Sequence, residues 1–249
     1  MKPQRWGCLR KGSEIRLHCL ALFSYATITD GEAQLRNAFG VDIPTTLEEL
    51  LNPRRSALLV YDMQVGIIDQ LKDGQTVVQH VKEVLHAARN AGVRVFHTRH
   101  LSLPKELMGA FQYRMAMAWQ RVDDPAEVRP WFLRDSPGFA IVPELQPLAS
   151  EAVFDKITMS AFEGTPLPIA LRDCGIHSFV IVGVATEIGI EPTCRHGADL
   201  GFVPVLVQDA CGGGDGAAAE RALESLRFLG DTVLTDRKTV CETWSRLEG

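Results

Sequence analysis

The chain is constrained most by one continuous apolar run, residues 56–62 (SALLVYD), which ends in a carboxylate. A run without alternating polar residues is typical of a strand that is buried on both faces, as in a parallel sheet. Further short strands are predicted at residues 93–98, 152–155, 178–184, 203–208 and 232–234.

Segments of helical periodicity separate these strands. Over residues 76–91 the apolar side chains repeat at intervals of three and four, and Gly92 ends the helix. Further helices are predicted at residues 166–174, from the fourth strand to 200, 219–229 and 237–247. The alternation predicts an α/β fold: an open, doubly wound sheet of six parallel strands flanked by helices, a Rossmann-like three-layer architecture.

Composition narrows the class of protein further. With 249 residues, 46% hydrophobic and 23% charged, the chain has the composition of a globular domain. We predict a partly disordered extension at residues 1–45 and one folded domain at residues 46–249. The net charge of -5 and the absence of a basic block argue against nucleic acid as a partner.

The cellular setting is predicted from the cysteines and the apolar stretches. Six cysteines without a CxxC pair, in a chain of this size, favour a reducing cytoplasm. The longest apolar stretch near the start, residues 17–26, is far shorter than the roughly 20 residues that span a bilayer. We therefore expect no association with a membrane.

One candidate site follows from the strand order. In open parallel sheets, ligands bind beyond the carboxyl ends of the strands. Asp62 ends the first strand, Lys156 follows the third, and the segment ATEIG (residues 185–189) follows the fourth. A carboxylate beside an ammonium group can hold and move a proton, although structural ion pairs leave the same pattern. The backbone N–H groups of residues 183–186 can stabilise an oxyanion or bind a carboxylate.

Two histidines, His97 and His100, lie near the end of the second strand. Residues three apart in a strand point to opposite faces, so we predict no metal site: His97 packs and His100 faces the pocket. Arg99 and His100 are candidates for binding an anionic substrate group. Three aromatic residues are candidates for lining the pocket, with core packing as the alternative: Trp119, Trp131 and Phe162.

Two glycine-containing segments lie where a nucleotide could bind, but neither has a nucleotide-binding motif. The segment GVAT (residues 183–186) lies between a strand and a helix but lacks the glycine spacing of a dinucleotide fingerprint. The segment GGGDG (residues 212–216) lacks the Lys and Ser/Thr of a P-loop. We therefore predict a protein without a cofactor.

Four segments, in this order, resemble the isochorismatase-like hydrolase superfamily, which includes nicotinamidases, ureidoacrylate and carbamoyl amidohydrolases, and isochorismatases. The resemblance implies a hydrolase domain at residues 46–249 that acts on a small molecule, and a dimer or tetramer. The segments are TLEELLNPRRSALLVYDMQ (46–64), FDKITMSAFEGTPL (154–167), HSFVIVGVATEIGIEPT (177–193) and GFVPVLVQDACG (201–212).

The resemblance also implies roles for individual residues. The family's aspartate matches Asp62, its lysine matches Lys156, and its cis peptide matches the bond from Val184 to Ala185. The nucleophilic cysteine matches Gly189, which has no thiol for covalent catalysis. The other residues predicted to bind the substrate or an oxyanion are Gln64, Arg99, His100, Phe162, Val184, Ala185, Thr186 and Glu187.

Another cysteine does not take over this role in the sequence. Cys194 lies five residues beyond Gly189, about 140° around a helix from its face. Cys211 follows the fifth strand, where no activating base is evident, and Cys174 lies beside a helix stop. We predict packing roles for all three.

Three hypotheses on function remain. The first is hydrolysis of a vinyl ether, since true isochorismatases also resemble this chain in having glycine in place of the cysteine; they carry a tyrosine where this chain has Ala185. The second is hydrolysis of a small amide, ureide or carbamate by water that Asp62 activates. The third is an inactive homologue that binds a small molecule or another subunit.

Overall fold

The computed structural model describes residues 36–247. It begins with an exposed antiparallel hairpin, β1 (Arg36–Ala38) and β2 (Val41–Ile43). A short helix, α1 (Leu47–Leu50), follows, and Thr46 and Glu49 form a capping box at its start. Residues 36–45 are thus the described part of the predicted extension, and the domain boundary at residue 46 stays a prediction.

A six-stranded parallel sheet forms the centre of the domain, which confirms the predicted fold class. The strands lie side by side in the order β5-β4-β3-β6-β7-β8. Their bounds are β3 (Ser56–Tyr61), β4 (Arg94–His100), β5 (Ala152–Lys156), β6 (Ser178–Val184), β7 (Val203–Gly212) and β8 (Val233–Thr235).

Seven helices follow α1 in the described residues, and a π-helical turn (Thr186–Ile190) precedes the fifth of these seven. They are α2 (Val65–Ile68), α3 (Gly74–Asn90), α4 (Ala110–Gln120), α5 (Leu167–Asp173), α6 (Glu191–Asp199), α7 (Gly216–Leu229) and α8 (Arg237–Leu247).

The structure differs from the predicted elements at two places near the sheet edge. The helix predicted to run from β6 to residue 200 is divided: the π-helical turn ends at Ile190, and Pro192 lies in the first turn of α6. There the missing N–H of proline removes no hydrogen bond within the helix. Strand β7 also continues four residues beyond the predicted end at 208, because Cys211 and Gly212 still pair with β6.

Alternate residues of β3 point to opposite faces of the sheet. Leu58 and Val60 pack in a core with α3 and α8, whereas Leu59 and Tyr61 pack in a second core with α5, α6 and α7. Both faces are therefore covered, which accounts for the continuous apolar run in the sequence. The alternation also places the Tyr61 side chain on the face that carries the π-helical turn.

Residues 101–151 connect β4 to β5 with little regular structure. Every residue of α4, which lies in this segment, is exposed or half-buried. Short 3-10 turns make up much of the remainder, three of them beginning at a proline. The segment begins at the carboxyl end of β4, directly after His100.

The end of this segment is attached to the sheet through Glu151. Its carboxylate accepts hydrogen bonds from Arg89 Nε (2.7 Å), from His97 Nε2 (2.9 Å) and from the Leu148 N–H (3.0 Å). Burial alone raises the pKa of Glu151, but these hydrogen bonds outweigh it and lower the pKa to about 2. Burial lowers the pKa of His97, so the ring donates to Glu151 as a neutral imidazole with its proton on Nε2. His97 is thus packed, as its place in the strand predicts.

Replacing Glu151 by Gln is expected to lower the free energy of unfolding by about 2 kcal/mol at pH 7, since hydrogen bonds to a charged group are lost. The pKa of Glu151 is depressed in the folded state, so its contribution is present above about pH 4.5 and is lost as the pH falls toward 2. Urea titrations at pH 7, 5 and 3 measure the difference. The exposed Glu144→Gln serves as the control; an equal effect of both variants at pH 7 would contradict the assigned role.

Candidate active site

The strand order reverses between β3 and β6. From β3 the chain proceeds to β4 and β5 on one side, and from β6 to β7 and β8 on the other. A crevice at such a switch point is the usual ligand site of an open parallel sheet. Asp62 directly follows β3, and the turn that contains Gly189 directly follows β6. Asp62 and the turn that contains Gly189 therefore meet at this crevice.

Asp62 and Lys156 form a buried ion pair. Lys156 ends β5, two strands away from β3, and its Nζ lies 2.7 Å from Asp62 Oδ2. Thr98, on the intervening strand β4, donates its hydroxyl to Asp62 Oδ1 at 2.7 Å. Of the two charged side chains, Asp62 keeps 6% of its surface exposed and Lys156 keeps 0%. The carboxylate is therefore the member of the pair that a ligand can reach.

The carboxylate has capacity for a further hydrogen bond. An ionised carboxylate has about four acceptor positions, and Thr98 and Lys156 take two of them. Lys156 Nζ makes a second hydrogen bond, to the Thr158 carbonyl at 3.1 Å, which helps to hold the ammonium group in place. Asp62 can thus accept a proton from a bound water while Lys156 holds its other oxygen.

The backbone at Asp62 takes an uncommon conformation. Its φ of 49° lies in the left-handed region, which few residues other than glycine adopt and which Asp tolerates better than most. The Asp62 N–H donates to the Thr98 carbonyl at 3.2 Å, which ties this turn to β4. Residues held in sparsely populated conformations by the surrounding structure cluster at functional sites.

His100 lies close to the ion pair as a neutral imidazole. Burial lowers the pKa of His100 to about 4; Lys156 lowers it as well, while Asp62 raises it. Burial likewise lowers the pKa of Lys156, and the attraction to Asp62 works against that shift. His100 lines the cleft described below and lies edge-on to Phe132, with ring centroids 6.0 Å apart. At neutral pH it therefore offers a hydrogen bond to a ligand, not a positive charge.

Gln64 holds the ends of two strands together. Its Oε1 accepts from the His100 N–H at 2.6 Å, and its Nε2 donates to the carbonyls of His100 and Phe139, both at 3.1 Å. The side chain is fully buried. Gln64 therefore holds the backbone next to the site in place, and it is not among the residues that line the cleft described below.

Arg99 and Phe162, which the sequence suggests as substrate contacts, are not brought to the crevice. Arg99 Nε donates to Asp155 Oδ1 at 2.8 Å, and its guanidinium lies 4.2 Å from the centroid of the Phe139 ring. Phe162 is buried in the core, with its ring 5.3 Å from Phe179 and 5.7 Å from Phe202. Strand alternation and the aromatic cluster, respectively, account for these positions.

The bond between Val184 and Ala185 is a cis peptide, as the resemblance implies. In the π-helical turn that follows, the N–H groups of Gly189 and Ile190 donate to the Ala185 carbonyl at 3.0 and 3.1 Å. The Gly189 amide is thus engaged within the turn. An oxyanion at this turn would depend on N–H groups nearer its start, at Ala185 and Thr186, since the first amides of a helical turn lack partners within it.

The side chains of Thr186 and Glu187 hold the loop between β7 and α7. Thr186 Oγ1 donates to the Gly212 carbonyl at 3.1 Å. Glu187 Oε1 accepts from the N–H groups of Gly214 and Asp215 at 2.7 and 3.0 Å. These two side chains order the glycine-rich loop and so have a structural use that the sequence pattern does not reveal.

Tyr61 contributes to the site although the sequence gives it no role there. Its hydroxyl donates to the Met159 carbonyl, and Lys156 Nζ lies 4.3 Å from the centroid of its ring. A Cβ atom added at Gly189 would stand within 2.6 Å of the hydroxyl oxygen, Cζ and Cε1 of Tyr61. The only signal in the sequence is an aromatic residue directly before Asp62 in a strand of otherwise aliphatic side chains.

The cysteines near the site are poorly suited to nucleophilic attack. Burial raises the pKa of the thiols of Cys194 and Cys211, which keeps both protonated. Cys194 is fully buried in the second core, and the Cys211 thiol faces the Ile181 carbonyl at 3.7 Å. Cys174 is half-buried and packs against the same core.

A small cleft of about 70 Å³ opens beside the carboxyl ends of β4 and β5; Asp62 and Lys156 are not among the residues that line it. Its wall includes His100 and Met159, which also border the crevice, and the two tryptophans that the sequence suggests, Trp119 and Trp131. The remaining lining is mostly apolar and comes largely from the segment between β4 and β5. It consists of Leu101, Ser102, Leu103, Met108, Phe111, Gln112, Met115, Ala116, Gln120, Arg129, Pro130, Phe132 and Ile157.

Among residues 36–247, no group of three or more His, Cys, Asp or Glu side chains is arranged to hold a metal ion. None of the helices in that range is long and apolar enough to cross a membrane.

Comparison with known proteins agrees with this geometry. The model of the isochorismatase domain family matches residues 56–237, which is well over half of the chain. The chain belongs to the isochorismatase family. It is a hydrolase of the isochorismatase-like type, and the predicted recognition is confirmed.

Two relatives and one solved structure illustrate the similarity. The ureidoacrylate amidohydrolase RutB of Rhizobium rhizogenes is 28% identical over 204 residues, which cover 75% of this chain and 82% of that protein. The isochorismatase family protein YecD of Escherichia coli O157:H7 is 31% identical over 186 residues, which cover 72% of this chain and 89% of that protein. The solved structure of a cysteine hydrolase from Pseudomonas syringae matches with a TM-score of 0.67 at 24% identity. The match covers 79% of this chain and 95% of that chain.

Removing one member of the buried ion pair is expected to destabilise the domain strongly. Lys156→Met leaves the Asp62 carboxylate buried without its cation, which costs about 3 kcal/mol. The control is Lys238→Met, which breaks the exposed pair with Glu242 at 3.9 Å and costs less than about 1 kcal/mol. Urea denaturation at pH 7 measures both variants. The double variant Asp62→Asn/Lys156→Met is expected to lose less than the sum of its single changes; strict additivity would show that the two groups do not interact.

Proposed function

We propose that the protein hydrolyses a C–N bond in a small amide or ureide by means of a water molecule that Asp62 activates. The observation that supports this most is the Asp62–Lys156 pair at the switch point, with only the carboxylate accessible. A relative with amidohydrolase activity, the ureidoacrylate amidohydrolase, favours the same type of bond.

In the proposed reaction, Asp62 takes a proton from water as the water oxygen attacks the carbonyl carbon of the substrate. The carbonyl oxygen becomes an oxyanion, which the N–H groups at the start of the π-helical turn would stabilise. When the C–N bond breaks, Asp62 returns the proton to the leaving nitrogen, and the products are an acid and an amine or ammonia. Lys156 keeps the carboxylate in place throughout, so it acts as a positioning residue.

This route requires no covalent enzyme intermediate. Gly189 offers no nucleophile, and the thiols of Cys194 and Cys211 remain protonated because desolvation raises the pKa of both. The reaction therefore depends on proximity and on proton transfer at Asp62. Hydrolysis by directly activated water is the form of amide cleavage that this set of side chains supports.

The cleft favours an uncharged, apolar substituent on the substrate. Among the described residues that line it, Arg129 is the only one with a full charge at pH 7, because the lowered pKa of His100 leaves its ring neutral. The tryptophans, methionines and phenylalanines of the wall offer dispersion contacts instead.

Hydrolysis of a vinyl ether is a second candidate, supported by the absence of a thiol at Gly189. That reaction needs a proton donor and a water molecule, not a nucleophile. Asp62 would protonate the vinyl carbon, and water would add to the resulting oxocarbenium ion. The homo-oligomer that the resemblance implies and the cytoplasmic location that the cysteines favour stay predictions.

A parallel assay of turnover separates these reactions. We expect ammonia release from acetamide, benzamide or N-carbamoyl compounds and a loss of at least about 100-fold in kcat/KM in Asp62→Asn, since general acid–base groups contribute 10²–10⁴-fold. Asp69→Asn, an exposed carboxylate just beyond the site, is the control. Pyruvate release from isochorismate would favour the second candidate. If the folded protein turns over none of these substrates, the result would favour an inactive homologue that binds a small molecule.

A further inference from the structure

We propose that Tyr61 and Gly189 form a matched pair that determines the specificity of this site. The phenol of Tyr61 occupies the space that any side chain at position 189 would need. A fixed aromatic ring therefore stands beside Asp62 where a nucleophilic side chain would otherwise lie. The effect on substrate selection rests on the proposed function; the steric pairing does not.

The register of the sheet brings the two residues together. Tyr61 is the last residue of β3, and Gly183, near the end of β6, is its partner across the ladder. The chain leaves β6 directly into the π-helical turn, on the face toward which Tyr61 points. A Cβ at position 189 would stand within 2.6 Å of three atoms of the Tyr61 side chain, closer than real Cβ contacts.

The Tyr61 side chain is held too firmly to move aside. It is 1% exposed, and its hydroxyl donates to the Met159 carbonyl. The Lys156 ammonium group lies over its ring, 4.3 Å from the centroid, which adds a cation–π attraction. Burial and the neighbouring Asp62 raise the pKa of the phenol well above its ordinary value, so the hydroxyl stays a hydrogen-bond donor.

Two consequences follow from this packing. Alanine is favoured over glycine in most helical positions, and Gly189 does not have the positive φ that would favour glycine. Gly189→Ala is therefore destabilising here only if Tyr61 stands in the way. In addition, removing the Tyr61 ring would open space directly beside the ion pair and would admit a larger acyl group.

The first experiment measures thermal unfolding of the full chain. We expect Gly189→Ala to lower Tm by more than about 5 °C, since overpacking costs 1–3 kcal/mol. Gly216→Ala is the control, because nothing lies within 4 Å of a Cβ there, and it should not lower Tm. In a Tyr61→Phe background, Gly189→Ala should remain harmful because the ring persists. In a Tyr61→Val background it should instead raise Tm by filling the cavity.

An unchanged Tm in Gly189→Ala would overturn the pairing, as would equal losses in the Phe and Val backgrounds. If Tyr61→Val does not fold, Tyr61→Leu takes its place in the cycle. The comparison of Gly189→Ala with Gly216→Ala decides the steric claim without either variant. None of these measurements requires that a substrate be known.

The second experiment measures kcat/KM for benzamide relative to acetamide. Tyr61→Val is expected to raise this ratio by about 10-fold, and Tyr61→Val/Gly189→Ala should lower it again as the methyl group refills the space. A ratio that stays constant in both variants would overturn the specificity role. If no variant hydrolyses any amide while the Tm cycle shows the coupling, then the proposed function fails and the Tyr61–Gly189 pairing stands.

Discussion

The ion pair between Asp62 and Lys156 is the interaction on which the rest of the site depends. Burying both charges is costly, and the attraction offsets that cost only when the remaining hydrogen bonds are made. The Thr98 hydroxyl and the Thr158 carbonyl complete them. Because the partners of the pair lie on β3 and β5, the strand between them must be placed accurately, and this requirement links the site to the order of the whole sheet.

Residues around the pair keep that order. Gln64 ties the end of β3 to the end of β4, and Glu151 ties the start of β5 to His97 and to Arg89 of α3. Both use buried polar groups whose partners are fully specified, which fixes geometry better than apolar contacts do. The polar residues that the sequence places near the site thus divide into two groups. One group, with Asp62, borders the crevice. The other group, with Gln64 and Glu151, holds the ends of neighbouring strands together.

Position 189 and Tyr61 depend on each other sterically. Glycine at 189 offers no nucleophile, and the Tyr61 ring takes the space that a side chain there would need. The ring also lies under the Lys156 ammonium group, so the change is coupled to the ion pair that remains. What is left is a carboxylate held by a buried ammonium group, with an apolar cleft nearby, and the proposed water-mediated hydrolysis rests on this combination.

The sequence by itself determined the α/β fold, the family, and the meeting of Asp62, Lys156 and the segment after β6, because apolar runs fix the strands and strand ends fix the edge. Only the tertiary structure decided which neighbours face the ligand. Five predicted contacts are near the site in sequence, yet their partners come from distant segments. The pairs are Gln64 with Phe139, Arg99 with Asp155, Phe162 with Phe202, Thr186 with Gly212, and Glu187 with Gly214. The Tyr61 side chain was equally hidden, since its contact with Gly189 arises from the approach of two chain segments that no local pattern encodes.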